Sequence, residues 1–233
     1  MLPLSIIIAL SYLVGSIPTS IIFGKLARGI DIRNHGSGNA GGTNVIRTLG
    51  LTEGLLVITV DILKGYIVTQ LISKLMYGPI PFNNRTPFED FTVVQIISGC
   101  AAILGHVWTA FGGFRGGKGI ATAGGVLLGL ATVEVMVSVA VFALVLYISR
   151  YVSLGSIAAT ISLPLTMFFR HNIFHGYLQG YHTLIFFTIG ISLLLLYTHR
   201  SNIKRLIEGT EHKLSTIPIL QKNGNKVPPP NRS

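Results

Sequence analysis

The sequence predicts an all-α integral membrane protein: a seven-transmembrane-helix bundle in which some helices are short. Three observations predict it. Hydrophobic residues make up 49% of the 233 and charged residues only 11%, where a soluble domain carries about 25% charged residues. Mean hydropathy is +0.62. The apolar residues also fall into long runs with short polar connections, the pattern of helices about 20 residues long crossing lipid.

The apolar runs lie at residues 2–23, 51–75, 93–111, 120–131, 133–148, 157–169 and 183–198. The first, second, third and seventh are long enough for a full crossing. The other three are short. Tilt, distortion or partial re-entry would accommodate them, and a five-span count stays open. The first run has no basic region before it and no clear small-residue cleavage site, so it reads as a retained helix, not a secretory leader. Residues 1–214 form the membrane domain. Residues 215–233 are polar, contain Pro228-Pro229-Pro230 and are expected to be a disordered cytoplasmic tail.

Loop charges set the orientation. With the N-terminus outside and seven crossings, every Lys and Arg falls inside except Lys64, Lys74, Arg85 and Arg170. The formal net charge is +10. Because the cations sit between apolar runs, it points to a membrane surface, an anionic lipid or an anionic substrate, and not to nucleic acid. Cys100 is the only cysteine, so an internal disulfide is excluded. No Cys-rich metal pattern, His-Glu-x-x-His helix or Gly-x-Ser-x-Gly elbow occurs.

The polar motifs lie between the runs. The first is Gly36-Ser37-Gly38-Asn39-Ala40-Gly41-Gly42-Thr43-Asn44, followed by Arg47. Its glycines permit unusual backbone angles and close approach. Backbone amides can converge on an anion, with hydrogen bonds from Ser37, Asn39, Thr43 and Asn44 and a planar fork from Arg47. The second is Gly112-Gly113-Phe114-Arg115-Gly116-Gly117-Lys118-Gly119. It approaches the phosphate-loop pattern of nucleotide hydrolases, but Gly119 stands where the magnesium-holding hydroxyl belongs and no strand precedes it. The nucleotide chemistry is excluded, while the attraction of an anion to glycine amides, a helix N-terminus and the Lys118 cation remains.

A third stretch, Ser153-Leu154-Gly155-Ser156, lies at the inner end of the fifth run and makes Ser156 a candidate ligand contact. The fourth, from His199 to Glu211, follows the last run directly. On a continuing helix His199 and Asn202 share a face, with Arg205 close to it. Asp61 and Lys64 fall within the second run, where a lone charge on a lipid-facing helix costs about 2.5–3.5 kcal/mol on insertion scales. Three residues apart, they can pair and support the inner polar cluster. His106 lies just before the second motif and is a candidate supporting group.

In order, these motifs read Gly-Ser-Gly-Asn-x-Gly-x-Thr-Asn-x-x-Arg, Gly-His…Phe-x-Gly-Gly-Lys-Gly-x-Ala-Thr, Ser-Leu-Gly-Ser and His-Arg-x-Asn-x-x-Arg-Leu…Gly-x-Glu. The set resembles the PlsY family of bacterial acyl-phosphate:glycerol-3-phosphate acyltransferases over residues 2–214. Ala40 stands where the family often has proline and Gly42 where it often has alanine. The resemblance implies a seven-helix enzyme of the bacterial inner membrane, multi-pass, with its site facing the cytoplasm. It implies transfer of a fatty acyl group from acyl-phosphate to the sn-1 hydroxyl of glycerol-3-phosphate, giving lysophosphatidic acid and phosphate, with no cofactor and no dedicated metal. A monomer is expected.

On that resemblance Ser37, Arg47, Lys118, His199 and Asn202 carry catalysis. Gly38, Asn39, Gly41, Gly42, Thr43, Asn44, Gly116, Gly117, Gly119, Ser156 and Arg205 bind substrate. The first loop is assigned mainly to acyl-phosphate; Arg47, Lys118, Ser156, His199 and Asn202 to the acceptor phosphate or transferring group. His199 and a donor-phosphate oxygen both stand as acceptors for the hydroxyl proton. The donor phosphate is preferred, because no carboxylate in the motifs is evidently placed to orient His199. A covalent Ser37 intermediate lacks an adjacent base. A transporter or flippase of phosphate-bearing molecules is the main non-enzyme reading, and one-sided clustering of the motifs argues against it.

Overall fold

The computed structural model describes residues 2–75, 78–178 and 180–213; the expected tail lies outside them. The described residues are helical, with no strand. Ten α-helices follow in order: α1 Leu4–Gly15, α2 Thr19–Arg28, α3 Gly42–Thr48, α4 Leu51–Gln70, α5 Asp90–Val107, α6 Ile120–Leu128, α7 Thr132–Ser149, α8 Val152–Asn172, α9 Tyr181–Thr198 and α10 Arg200–Ile207.

Among the described residues six stretches are long and apolar enough to cross a membrane: Leu4–Arg28, Leu51–Leu75, Asp90–Gly112, Thr132–Ser149, Val152–Asn172 and Tyr181–Thr198. The first is α1 and α2 together, interrupted at Pro18, which lacks an amide hydrogen and disfavours helix at the residue before it. The fourth apolar run contains only α6. Its 9 residues rise about 14 Å, half the hydrocarbon thickness. Two other runs that look short in sequence become full-length α7 and α8. For α8 the reason is that Ser153-Leu154-Gly155-Ser156 lies within the helix.

Lipid provides no hydrophobic force between helices, so close contact of small residues must hold them together. Two crossings show this. At α1–α5, a β-carbon on Gly15 would lie 2.1 Å from the Ala102 carbonyl oxygen, and one on Gly105 would lie 2.2 Å from that of Tyr12. At α4–α6, one on Gly65 would lie 2.2 Å from the Thr122 carbonyl and one on Gly125 2.0 Å from that of Ile62. The outward face of α7 remains apolar and exposed, including Met136, Val139, Leu144 and Ile148, as a lipid-facing helix requires.

Backbone groups freed inside the bundle find side-chain partners. Pro164 lies within α8 and cannot donate to the Thr160 carbonyl four residues earlier. Ser192 of α9 donates to that carbonyl at 2.9 Å. Ser192→Ala should therefore destabilise the protein by about 1–3 kcal/mol, the cost of an unpaired buried acceptor. Introducing Pro164→Ala as well should recover most of the loss, because alanine restores the amide donor that proline lacks. Thermal unfolding of the single and double variants in detergent checks this; equal losses in both backgrounds would contradict it.

Candidate active site

The first glycine loop runs from a short turn at Ile32–Asn34 into α3. Gly36 and Gly38 take positive φ, +59° and +72°, which glycine adopts without steric cost. Asn44 lies beneath the loop, only 1% exposed. Its amide nitrogen donates to the carbonyls of Ile32 and His35, each at 3.0 Å. Its Oδ1 accepts the Ser37 N–H at 2.8 Å. Gly42 faces Ile58 and Gly54 of α4, with no room for a β-carbon.

The second loop is braced against the end of α5. Gly116 N–H donates to the Val107 carbonyl at 3.0 Å and Gly117 N–H to that of His106 at 3.1 Å. A β-carbon on Gly117 would meet the His106 ring at 2.3 Å and the Ala40 carbonyl at 2.7 Å, so the two loops touch there. Arg33 bridges them. It pairs with Asp31 at 2.7 Å and donates to the Gly112 carbonyl at 2.5 Å. The hydrogen-bonding Arg33 guanidinium holds the Asp31 carboxyl down to about 2.

The amides expected to cradle an anion are therefore largely engaged in holding shape. Those of Ser37, Gly38, Gly41, Gly116 and Gly117 all have partners within the protein. Any anion held here relies chiefly on side chains. Beneath the second loop lies a buried polar group. Asp61 receives Lys64 at 2.8 Å and the Thr19 hydroxyl at 3.0 Å, with His106 Nδ1 at 3.7 Å. Lys64 also donates to the Ile17 carbonyl at the break before Pro18, at 3.2 Å.

The C-terminal motif completes the arrangement. Lys118 donates to Asn202 Oδ1. Asn202 Nδ2 donates to Glu211 Oε1 at 3.1 Å, and Arg205 Nε donates to Glu211 Oε2 at 2.8 Å. The Thr198 hydroxyl holds the Lys118 carbonyl at 2.9 Å. Arg47 lies behind this group; its Nε is buried without a hydrogen-bond partner among the described residues. Burial pushes the Arg47 guanidinium below its ordinary pKa, with Glu211 opposing and Arg205 reinforcing the shift. Burial pushes Lys118 down to about 8, Glu211 acting against it and Arg205 and Arg47 with it.

His199 is buried, with Nδ1 2.8 Å from the Leu195 carbonyl oxygen. A carbonyl only accepts, so Nδ1 carries the hydrogen and Nε2 the lone pair. Burial, and next the Lys118 cation, push the imidazole down to about 4.

A cavity of about 330 Å³ lies between these segments. Of the residues singled out in the sequence, Ser37, Gly38, Asn39, Gly116, Gly117, Lys118 and Arg205 line it. Arg47, His199 and Asn202 are not among its lining residues; Asn202 reaches it through Lys118. Gly41, Gly42, Thr43 and Asn44 belong to the loop and α3 behind it. Gly119 packs near Leu195 of α9. Ser156 is apart: buried in α8, it donates back to the Val152 carbonyl at 3.0 Å. Arg33, Thr198 and Glu211 were not singled out from sequence, although each hydrogen-bonds within this network. Glu211 was visible as the final residue of the fourth motif.

Comparison with known proteins places this geometry. The family model described as Glycerol-3-phosphate acyltransferase matches residues 5–209. A glycerol-3-phosphate acyltransferase of Chlorobaculum tepidum is 46% identical over 232 residues, covering 92% of this chain and 98% of its own. That of Pelodictyon phaeoclathratiforme is 44% identical with the same coverages. The crystal structure of PlsY, an integral membrane glycerol 3-phosphate acyltransferase, is similar in its glycerol 3-phosphate form. The TM-score is 0.77 at 37% identity, covering 94% of this chain and 99% of that one. Its lysophosphatidic acid form gives a TM-score of 0.74 at the same identity, covering 93% and 98%. With its six apolar helices and these relatives, the chain is a multi-pass membrane protein and belongs to the glycerol-3-phosphate acyltransferase (PlsY) family.

Proposed function

We propose that this acyltransferase takes its acyl group from acyl-phosphate and gives it to the sn-1 hydroxyl of glycerol-3-phosphate. The products are lysophosphatidic acid and inorganic phosphate. The chain crosses the bacterial inner membrane seven times, α6 and the non-helical segments on either side of it together making the fourth crossing, with the N-terminus outside and the cavity at the cytoplasmic face. The Lys and Arg distribution supports that orientation. The observation that carries the reading is convergence. Both glycine loops and the α9–α10 corner, far apart in sequence, line one cavity that contains Lys118, Arg115, Arg200 and Arg205.

Ser37, Gly38 and Asn39 face the donor phosphate, with Gly116 and Gly117 forming the opposite wall. Lys118 and Arg205 attract the acceptor phosphate, with Arg47 adding positive potential from behind. Asn202 and Glu211 fix Lys118 and Arg205 in place. Gly41, Gly42, Thr43 and Asn44 hold the first loop in shape. The acceptor oxygen attacks the acyl carbonyl carbon, the new ester C–O bond forms, and the bond from that carbon to the phosphate oxygen breaks. The proton passes to an oxygen of the donor phosphate. A histidine pushed down to about 4 is a weak base near neutrality. His199, a neutral ring with its hydrogen on Nδ1, instead accepts a hydrogen bond at Nε2, a binding role.

Purified protein supplied with acyl-phosphate and glycerol-3-phosphate should release phosphate and lysophosphatidate in equal amounts. Acyl-CoA in place of acyl-phosphate should give little product; efficient use of acyl-CoA would overturn the donor assignment. Lys118→Ala should slow turnover on the order of 10²–10³-fold, as loss of one preorganised donor does elsewhere. The Lys118 charge is present below its pKa of about 8 and lost above it. kcat/KM should thus fall as pH rises through about 8, and Lys118→Arg should move that limb upward whatever its absolute rate. Removing an obligatory general base costs about 10²–10⁴-fold. His199→Gln should lose less than about tenfold in kcat, and a loss in the general-base range would move the proton onto His199.

A further inference from the structure

A second cavity, about 430 Å³ in volume, lies at the N-terminal end of α5, where the short α6 turns into α7. The acyl-transfer cavity lies at the other end of α5, beyond Val107. Thr92, Leu130, Glu134, Arg170, Leu178 and Leu184 are among its lining residues. Glu134 is 0% exposed. Its Oε1 accepts from Arg170 Nη1 at 3.0 Å, while Oε2 is buried with no hydrogen-bond partner among the described residues. A carboxylate oxygen in that position strongly favours a donor. The Arg170 side chain is 32% exposed and keeps hydrogen-bonding capacity, since its Nη2 makes only a 3.4 Å contact with the Tyr177 carbonyl.

The cavity thus holds a buried carboxylate beside a cation, within walls of mixed polarity that include Thr92, Gln95, Leu130 and Leu184. It also communicates with lipid. Val133, which lines it, begins the exposed apolar face of α7 that continues through Met136 and Val137. Tyr177 at its edge and Phe174 nearby in sequence are 82% and 77% exposed, as aromatic side chains at the level of lipid headgroups are.

We propose that this cavity binds the headgroup of a membrane phospholipid that carries a primary ammonium. The ammonium displaces the groups that cover the buried Glu134 Oε2 and donates to it, the phosphate rests on Arg170, and the acyl chains leave along Val133 and the outer face of α7. A choline headgroup fits the charges but has no N–H to give. A glycerol headgroup donates hydrogen bonds but brings no cation. The site requires no acyl-transfer chemistry, so it does not rest on the proposed reaction.

Native mass spectrometry of the purified full-length protein, given equal amounts of phosphatidylethanolamine, phosphatidylcholine and phosphatidylglycerol, tests it. The ethanolamine lipid should be retained preferentially. Glu134→Gln should lower its retention about tenfold, the expected loss of one hydrogen bond to an ionised group, and leave the choline lipid unchanged. Thr92→Trp reduces the cavity while leaving both members of the ion pair in the sequence and should reduce ethanolamine-lipid retention even if Glu134→Gln fails to fold. Soluble phosphoethanolamine at matched concentration should not compete. Equal retention of all three lipids, or ethanolamine-lipid retention unchanged in both variants, would overturn the proposal. Competition by the soluble headgroup would assign the cavity to a free solute and overturn the lipid. Acyl transfer by Glu134→Gln should match the parent; loss of transfer with lipid retention intact would also count against the site.

Discussion

Backbone-to-backbone contact at small residues is the constraint on which this bundle depends. In lipid, helices gain nothing by hiding apolar side chains from one another, so their association rests on dispersion and on satisfied polar groups. Gly15 and Gly105 bring α1 onto α5, while Gly65 and Gly125 bring α6 onto α4. Both contacts leave no space for a methyl group. They fix the height at which α5 ends and α6 begins, and therefore where the loop between them sits.

That loop carries Lys118, and its position is reinforced from below. The Asp61–Lys64 pair satisfies its own charges and ties α4 to the break between α1 and α2 through Thr19 and Ile17. His106 lies between this pair and Gly117. A buried pair of this kind contributes little net stability, since desolvation offsets attraction, but removing one partner leaves a charge uncompensated. Its value is geometric: the carbonyls at the end of α5 and the glycine amides above them are held in one register. Electrostatic catalysis requires such fixed placement, because the charges need not reorganise as the reaction proceeds.

The site concentrates positive charge, and Glu211 is what makes that concentration tolerable. It accepts from both Asn202 and Arg205 and offsets the combined field of Arg205, Arg47 and Lys118. Without a carboxylate there, burial and mutual repulsion would both favour loss of the Lys118 proton. The positive charge of the cavity and the protonation of Lys118 are thus coupled through one acidic residue in the segment after α10.

The sequence by itself determined the membrane class, the main apolar helices and the glycine-rich and basic motifs between them. These depend on composition, run length and local residue type, which survive without knowledge of contacts. The Asp61–Lys64 pairing was also legible, because helical spacing alone brings the two within reach. Only the tertiary structure decided which motif residues face the cavity. Ser156 looked like a contact because its stretch lies at the inner end of the fifth run, beside the other inner loops, yet α8 starts at Val152 and turns its hydroxyl back onto the helix. Asn44 looked like a ligand, but its amide secures the loop. Several glycine amides that read as an anion cradle have internal partners instead. Arg33, Thr198 and Glu211 acquire their importance from hydrogen bonds to segments distant in the chain or across a turn. A residue type states what a side chain can bind; the packing of the helices determines what it meets.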